Sequence, residues 1–97
     1  VLISDTFGRP WRQGAVNVTI GLDGIFGLTD YRGQKDDNGQ TLTSTIISVA
    51  DELASAAELV MGKINRIPIA LIRGYEYNPV DSDSQDLIRE SKNDLFR

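Results

Sequence analysis

The residues best suited to chemistry are concentrated near the start of the chain. Asp5 and Thr6 follow the apolar run Val1–Ser4, which we interpret as a buried strand that leads into a loop. A carboxylate and a hydroxyl at a rigid strand end could hold a divalent cation, and the nearby Arg9 and Arg12 could bind phosphate oxygens. The same residues also fit an ordinary turn with solvated arginines, and local chemistry alone favours that alternative.

The residue types that the chain lacks narrow the chemistry further. Its 97 residues include no cysteine and no histidine. This excludes thiolate nucleophiles, zinc sites built from these residues and a Ser-His-Asp triad. Any reaction must therefore use carboxylates, hydroxyls, lysine, arginine, tyrosine and backbone groups. Oxygen ligands of this kind suit hard cations such as Mg²⁺ or Mn²⁺.

Two further groups of polar residues lie on and just after a predicted helix. Asp51, Ser55 and Glu58 are separated by four and three residues and therefore share one stripe. Any surface helix has a polar stripe, so we favour a surface role for these three residues over a site. Residues 61–63 combine a helix end, a glycine and a lysine. Because the C-terminal end of a helix repels anions, glycine capping is a simpler local explanation than phosphate binding.

A fourth group is the charged loop that begins at Asp30. Tyr31, Arg32 and Gly33 follow directly, with Lys35, Asp36 and Asp37 shortly after. Such a loop could reach a bound ligand, and solvation of a surface loop explains it equally well.

A few elements would have to position these groups. The alternation in residues 14–21 predicts a half-buried strand, and the Gly- and Asn-rich residues 32–41 predict a loop or hairpin tip. Apolar residues at steps of three and four predict a helix from about Ser44, as its cap, to Met61, with Gly62 as its stop. The continuous apolar run 67–73 predicts a central strand buried on both faces.

The expected fold class is therefore α+β, a small sheet with one long central helix. We divide the chain into residues 1–77 and a polar tail, residues 78–97, in which Asp81–Ser84 could cap a short final helix carrying Leu87, Ile88, Leu95 and Phe96.

Composition indicates a soluble, cytoplasmic protein. The chain is 40% hydrophobic and 25% charged, and no apolar run is long enough to cross a bilayer. Its net charge of -4 and pI near 4.6 argue against a nucleic-acid partner. It begins without a methionine, and we expect it to be a piece of a longer protein.

The motifs together resemble the coenzyme F420-0:L-glutamate ligases, also called gamma-glutamyl ligases of F420 biosynthesis. The resemblance extends from residue 1 to about 77 and leaves only the polar tail outside. The motifs that carry it are, in order, Ser-Asp-Thr-Phe-Gly-Arg-Pro-Trp-Arg-x-Gly at 4–14, Ile20-Gly21, Gly24-Ile25, Tyr31-Arg32-Gly33, Asp36 with Gly39, the helical run Ala-Asp-Glu-Leu-Ala-Ser-Ala-Ala-Glu-Leu-Val-Met-Gly-Lys at 50–63, Pro68, and Ile72-Arg73-Gly74-Tyr75.

The resemblance implies a GTP-dependent ligase that adds L-glutamate to the lactyl-phospho-deazaflavin F420-0 and then extends it through the gamma-carboxyl group. The reaction would form an acyl phosphate that an amine attacks, with Mg²⁺ or Mn²⁺, and also K⁺, as cofactors. Members of the family are dimers with a mixed fold, and nucleotide and metals bind in a groove near the subunit interface.

The resemblance also assigns site residues. Asp5 and Thr6 match the metal-binding segment, and Met61, Gly62, Lys63 and Asn65 match the nucleotide-contacting segment. Relatives are expected to carry Gln or Glu at position 63 to help hold a second metal. A protonated lysine cannot ligate a cation. No catalytic residue is assigned, and neither Asp51 nor Glu58 receives a role.

A full ligase is more than twice this length, and we expect the chain to match its C-terminal part only. The chain alone would then be inactive and would assemble with the missing N-terminal portion or form a homodimer. Two alternatives stay open. The chain could be a non-catalytic interaction module that keeps the ligase fold, or it could belong to a related ligase that uses another acceptor.

Overall fold

The computed structural model describes residues 1–95, which begin with a long antiparallel hairpin. Strand β1 spans Leu2–Arg9 and strand β2 spans Arg12–Leu22. The predicted strand 14–21 is confirmed within β2. The prediction that β1 would be buried and would end before Asp5 is wrong, because β1 continues to Arg9 and most of its residues are exposed. Pro10 starts the connecting turn, so the chain stays extended until the proline interrupts it.

The hairpin register shifts twice, between Ile3 and Ser4 and between Phe7 and Arg9, and the first shift lies where β2 meets the helix. Ile3 pairs with Gly21 while the next residue, Ser4, pairs with Thr19, so Ile20 is an extra residue on β2. Such a bulge bends the strand and increases its twist. The part of β2 before the bulge can therefore lie along a helix.

Helix α1 spans Val49–Met61 and packs beside β2. The carboxylate Oδ1 of Asp51 accepts a hydrogen bond from the Thr19 backbone N–H at 2.8 Å. The hydroxyl of Ser55, one turn later, donates to the Asn17 backbone carbonyl at 2.8 Å. Because β2 pairs with β1 on one side only, these side chains supply partners for its backbone on the other side.

The helix begins later than the sequence predicts, and it is neither long nor central. The prediction of a start at Ser44 is wrong. Ile46–Ile47 forms strand β4, which pairs with β3 (Thr29–Asp30). Two consecutive β-branched residues favour an extended backbone, and β3 provides the partner strand. The predicted stop is confirmed, since the Gly62 N–H bonds to the Glu58 carbonyl and closes the helix.

The connection between β3 and β4 forms the predicted hairpin tip. Lys35 and Thr41 form an isolated antiparallel bridge across it. The carboxylate of Asp36 accepts hydrogen bonds from the N–H groups of Asn38 and Gln40, both at 2.9 Å. The prediction of a turn in residues 32–41 is therefore confirmed.

The core is small and lies where α1 meets the loop after β2. Its buried apolar residues are Ile25, Val49, Ala50 and Ala54. Gly27 lies against Ala50, and its carbonyl accepts a hydrogen bond from the Ala50 N–H. A β-carbon at position 27 would lie 2.9 Å from Leu22 Cδ2 and 3.2 Å from Leu87 Cδ2. The backbone of this loop therefore approaches α1 closely at Gly27.

The apolar run 67–73 forms no strand in the described structure, so its prediction as a buried central strand is wrong. Ile69 is 80% exposed and Leu71 is 74% exposed. A central strand needs apolar side chains and also neighbouring strands to pair with. The run has the apolar side chains, but among residues 1–95 β1 and β2 pair only with each other. The run instead lines an open cleft of about 860 Å³, together with β1 and Leu53, Ala57 and Met61 of α1.

The polar tail forms two short 3-10 helices, Ser84–Leu87 and Ser91–Asn93, in place of the predicted final helix. The predicted capping position is confirmed, because Asp83 and Asp86 form a capping box on the first of them. The sequence analysis placed Leu87, Leu95 and Phe96 on one final helix. Leu87 instead ends the first 3-10 helix, Leu95 lies beyond the second, and Phe96 lies outside the described residues.

Side chains of the tail bond to the backbone of the loop after β2. Asp81 accepts a hydrogen bond from the Gly24 N–H at 2.6 Å, and Ser82 accepts one from the Gly27 N–H at 3.0 Å. No helix among the described residues is long and apolar enough to cross a bilayer.

Replacing Gly27 by alanine should destabilise the chain by about 1–3 kcal/mol, because the added methyl group must displace Leu22 and Leu87. Urea unfolding followed by circular dichroism measures the change in the free energy of unfolding. Gly8→Ala is the matched control, since no atom lies within 4 Å of its added β-carbon. Equal effects of the two substitutions would contradict this description of the core.

Replacing Asp51 by alanine should cost about 1–3 kcal/mol, because the part-buried Thr19 N–H loses its acceptor. Glu52→Ala removes the same charge from the same helical turn at an exposed position and should change stability by less than about 0.5 kcal/mol. Thermal and urea unfolding of both variants test this. A larger effect at Glu52 would show that helix-end charge, and not the bond to β2, carries the stability.

Candidate functional site

Three polar side chains from distant parts of the chain meet on one face of the hairpin. The Lys63 ammonium donates a hydrogen bond to the Thr6 hydroxyl at 2.9 Å, across 57 residues of sequence. The same hydroxyl donates to Asn17 Oδ1 at 3.0 Å. We call Thr6, Asn17 and Lys63 the Thr6 cluster. It places a fixed positive charge beside two polar groups on the exposed surface of the sheet.

The hairpin and the end of α1 together position this cluster. Thr6 and Asn17 are direct partners in the β1–β2 register, so their side chains share a face. Gly62 then turns the chain out of the helix with φ at 61°, a value that favours glycine. A β-carbon at position 62 would lie 2.6 Å from Asn65 Nδ2. The turn that brings Lys63 to Thr6 therefore depends on glycine at this position.

Asp5 lies beside the cluster but in a different setting from the predicted strand end. Asp5 and Thr6 are consecutive residues in a regular stretch of β1, so their side chains leave opposite faces of the sheet. The Asp5 carboxylate accepts a hydrogen bond from the Thr6 backbone N–H at 2.7 Å. The prediction of a rigid strand end with an open loop is wrong for this pair, because both residues lie in the middle of β1.

The described residues do not by themselves fit a divalent cation. Asp5 and Thr6 do not converge on one side of the strand, and the Thr6 hydroxyl already bonds to an ammonium. No group of three or more carboxylates able to hold a metal occurs in residues 1–95. Asp5 remains a possible single ligand.

The other residues predicted to bind nucleotide lie near Lys63 along the chain but face different surroundings. Met61 lines the large apolar cleft. Asn65 packs against the bare backbone of Gly62. The Arg9 guanidinium, which we considered as a phosphate ligand, bonds to the carbonyl groups of Gln13 and Gly14 at 3.3 and 3.4 Å. Among these residues, only Lys63 bonds to Thr6.

The polar stripe of α1 has a structural role that the sequence analysis missed. We interpreted Asp51 and Ser55 as surface residues, whereas both bond to the backbone of β2. Glu58 is half-buried and lines a second, smaller cleft of about 350 Å³ together with Asn17 and Ser55. Asn17 therefore belongs both to the Thr6 cluster and to the wall of this cleft.

Asn17 is the site residue that sequence reasoning did not identify. The alternation of β2 places it on the face opposite Val16 and Val18, which is the available signal. Its pairing with Thr6 follows from the hairpin register. That register depends on a tight turn after Arg9, where the sequence analysis placed a longer loop.

The charged loop has its own electrostatic contact. The Arg32 guanidinium bonds to both carboxylate oxygens of Asp30 at 2.7–3.2 Å, and the Arg32 backbone N–H bonds to the same group at 2.9 Å. The side-chain hydrogen bond is the main reason that the pKa of Asp30 falls from 3.8 to about 2. This pair fixes the loop conformation, and no contact with the Thr6 cluster links it to the site.

Replacing Arg32 by glutamine should raise the pKa of Asp30 towards 3.8. The pKa of Asp30 is lowered in the folded chain, so the pair favours folding above pH 4 and this contribution is lost as pH falls towards 2. A carboxyl ¹³C NMR titration measures the shift. Lys35→Gln removes the same charge from the same loop and should leave the pKa of Asp30 unchanged. An unchanged titration in the Arg32 variant would contradict the assignment.

Comparison with known proteins identifies the same family that the sequence motifs resemble. The family model described as F420-0:Gamma-glutamyl ligase matches residues 1–74. Similar proteins named coenzyme F420:L-glutamate ligase include those of Methanocaldococcus jannaschii, 46% identical over 98 residues, and Methanothermobacter thermautotrophicus, 45% identical over 100 residues. A third, from Methanococcus maripaludis, is 43% identical over 98 residues. Each match includes 100% of this chain and 39–40% of the relative.

The chain thus spans about 40% of the length of these relatives. The matches do not support the expectation that it corresponds only to the C-terminal part of a ligase. The family model covers both segments that form the Thr6 cluster, together with the whole of α1. The chain belongs to the F420-0:gamma-glutamyl ligase family.

Proposed function

We propose that this chain contributes part of the active site of a GTP-dependent ligase that joins L-glutamate to coenzyme F420-0. The names of its relatives support ligase chemistry in F420 biosynthesis. GTP, Mg²⁺ or Mn²⁺, K⁺ and a homodimeric, cytoplasmic enzyme are the further parts of this proposal. They rest on the resemblance described above.

The contact between Lys63 and Thr6 is the observation that carries the proposal. The motif analysis assigned Lys63 to a nucleotide-contacting segment and Thr6 to a second, distant segment of the site. The two meet at 2.9 Å. Their meeting supports a single phosphate-facing site built from both segments. The small cleft lined by Asn17, Ser55 and Glu58 adjoins the Thr6 cluster through Asn17.

In the proposed reaction, a carboxylate oxygen of F420-0 attacks the γ-phosphorus of GTP. The bond to the bridging oxygen breaks, and GDP leaves with that electron pair. The amino group of glutamate then attacks the acyl phosphate, inorganic phosphate leaves, and the nitrogen loses a proton as the amide forms. Negative charge accumulates on phosphate oxygens in the first step.

Within this chain, the Lys63 ammonium would stabilise that charge. An ammonium group has three N–H donors. One of them bonds to Thr6, and the other two can bond to an anion. Thr6 and Asn17 act as positioning residues, because they hold the ammonium on the face of the sheet. Asp5 can offer one carboxylate to a divalent ion. No step is assigned to such an ion, since the described residues do not form its site.

A chimaeric enzyme tests the proposal. This chain should replace the matching 98 residues of the Methanocaldococcus jannaschii ligase. We expect the chimaera to convert F420-0, glutamate and GTP into glutamylated product and GDP, measured by mass spectrometry and by nucleotide chromatography. The 97-residue chain alone should produce neither. A folded chimaera without ligation would favour the non-catalytic module, and turnover with other acceptors only would favour a related ligase.

The role of Lys63 is tested within the same chimaera. Lys63→Ala should lower kcat/KM for GTP by roughly 10²-fold, as expected for the loss of one charged group that stabilises the transition state. Lys35→Ala removes the same charge from the hairpin tip and should leave kcat/KM within about twofold of the parent. Equal losses in the two variants would show that net charge, and not the Thr6 cluster, accounts for the effect.

A further inference from the structure

We infer that the Lys63 ammonium occupies the place at the Thr6 hydroxyl that a divalent cation would need. In this chain, a fixed side-chain charge replaces a metal ion at that point of the site. The inference rests on the proposed function only for the statement that Lys63 binds phosphate. The competition between ammonium and metal follows from the geometry of the Thr6 cluster itself.

The hydrogen-bonding capacity of the Thr6 hydroxyl is the first step. A hydroxyl has one donor hydrogen and two acceptor lone pairs. Its hydrogen is directed at Asn17 Oδ1 at 3.0 Å, and one lone pair accepts from Lys63 at 2.9 Å. One lone pair is left for any further ligand. A cation bound there would lie about 4 Å from the ammonium nitrogen.

Electrostatic repulsion is the second step. A divalent ion about 4 Å from an ammonium is repelled by an energy that weakens its binding by roughly tenfold or more, even in water. Neighbouring carboxylates could offset this repulsion. The closest candidate in sequence, Asp5, projects from the other side of β1 and bonds to the Thr6 N–H. Within residues 1–95, no cluster of three metal-binding side chains supplies the missing negative charge.

The position of Lys63 is the third step. The residue follows directly after the C-terminal end of α1, where the helix dipole favours a cation. The left-handed backbone of Gly62 and the packing of Asn65 against it set the direction of the chain at this point. The backbone therefore directs Lys63 towards the hairpin, and the hydrogen bond to Thr6 places its ammonium there.

The experiment measures Mn²⁺ binding at Thr6 without nucleotide or acceptor. Bound Mn²⁺ broadens nearby amide NMR signals, so the Thr6 signal reports binding at this place and not at the carboxylates of the hairpin tip or the tail. In the wild-type chain we expect little broadening at Thr6. Lys63→Gln removes the ammonium but keeps an oxygen ligand, and it should increase Mn²⁺ affinity at Thr6 by about tenfold. Lys63→Glu adds a carboxylate and should increase it further.

Lys35→Gln is the matched control, because it changes net charge equally and should leave the Thr6 signal as in the wild type. Adding Thr6→Val to the Lys63→Gln chain should abolish the gain, and circular dichroism checks that each variant is folded. Broadening at Thr6 that is as strong in the wild type as in Lys63→Gln would overturn the inference. So would folded Lys63 variants that gain no affinity. Because the readout contains no GTP or F420-0, these outcomes are independent of whether the chimaera ligates.

Discussion

The contact of one short helix with the open edge of a two-stranded sheet determines most of this structure. Within residues 1–95 the hairpin has no third strand, so backbone groups of β2 lack a strand partner on one side. Two side chains of α1, one helical turn apart, supply partners for them. Asp51 accepts from Thr19 N–H, and Ser55 donates to the Asn17 carbonyl. This spacing matches the rise of a helical turn to the two-residue repeat of a strand, about 6 Å in each case. Such a match fixes both the direction and the register of the helix.

The apolar core beneath that contact is too small to fix the helix by itself. Two of its three buried helical residues are alanines, which remove little apolar surface from water and allow close approach. Gly27 lets the backbone of the loop lie against Ala50, and any larger residue would meet Leu22 and Leu87. Directed hydrogen bonds therefore carry a larger share of the specificity than in a domain with a large core. The position of the Thr6 cluster depends on these hydrogen bonds, because they position α1 and Lys63 follows the end of that helix.

Features that depend on neighbouring residues were predictable from the sequence, and those that depend on distant partners were not. The strand in 14–21, the tip in 32–41 and the stop at Gly62 follow from alternation, turn residues and glycine chemistry, and all three are confirmed. The run 67–73 has the pattern of a buried strand, but a pattern does not provide the strand that must pair with it. The meeting of Lys63 with Thr6 depends on a hairpin, a bulge and a helix end together, and local spacing contains none of these.

The chain has 14 aspartate and glutamate residues, yet no three of them form a metal-binding group within residues 1–95, and the structure explains why. Many aspartate carboxylates accept hydrogen bonds from backbone N–H groups in turns, at a strand edge and at helix starts. Those with such bonds include Asp5, Asp30, Asp36, Asp51, Asp81, Asp83 and Asp86. A carboxylate used in this way is fixed by its own segment, so these groups are dispersed over the fold and do not converge. Positive charge on the exposed face of the sheet then comes most directly from a side chain that the fold already holds there, and Lys63 is that side chain.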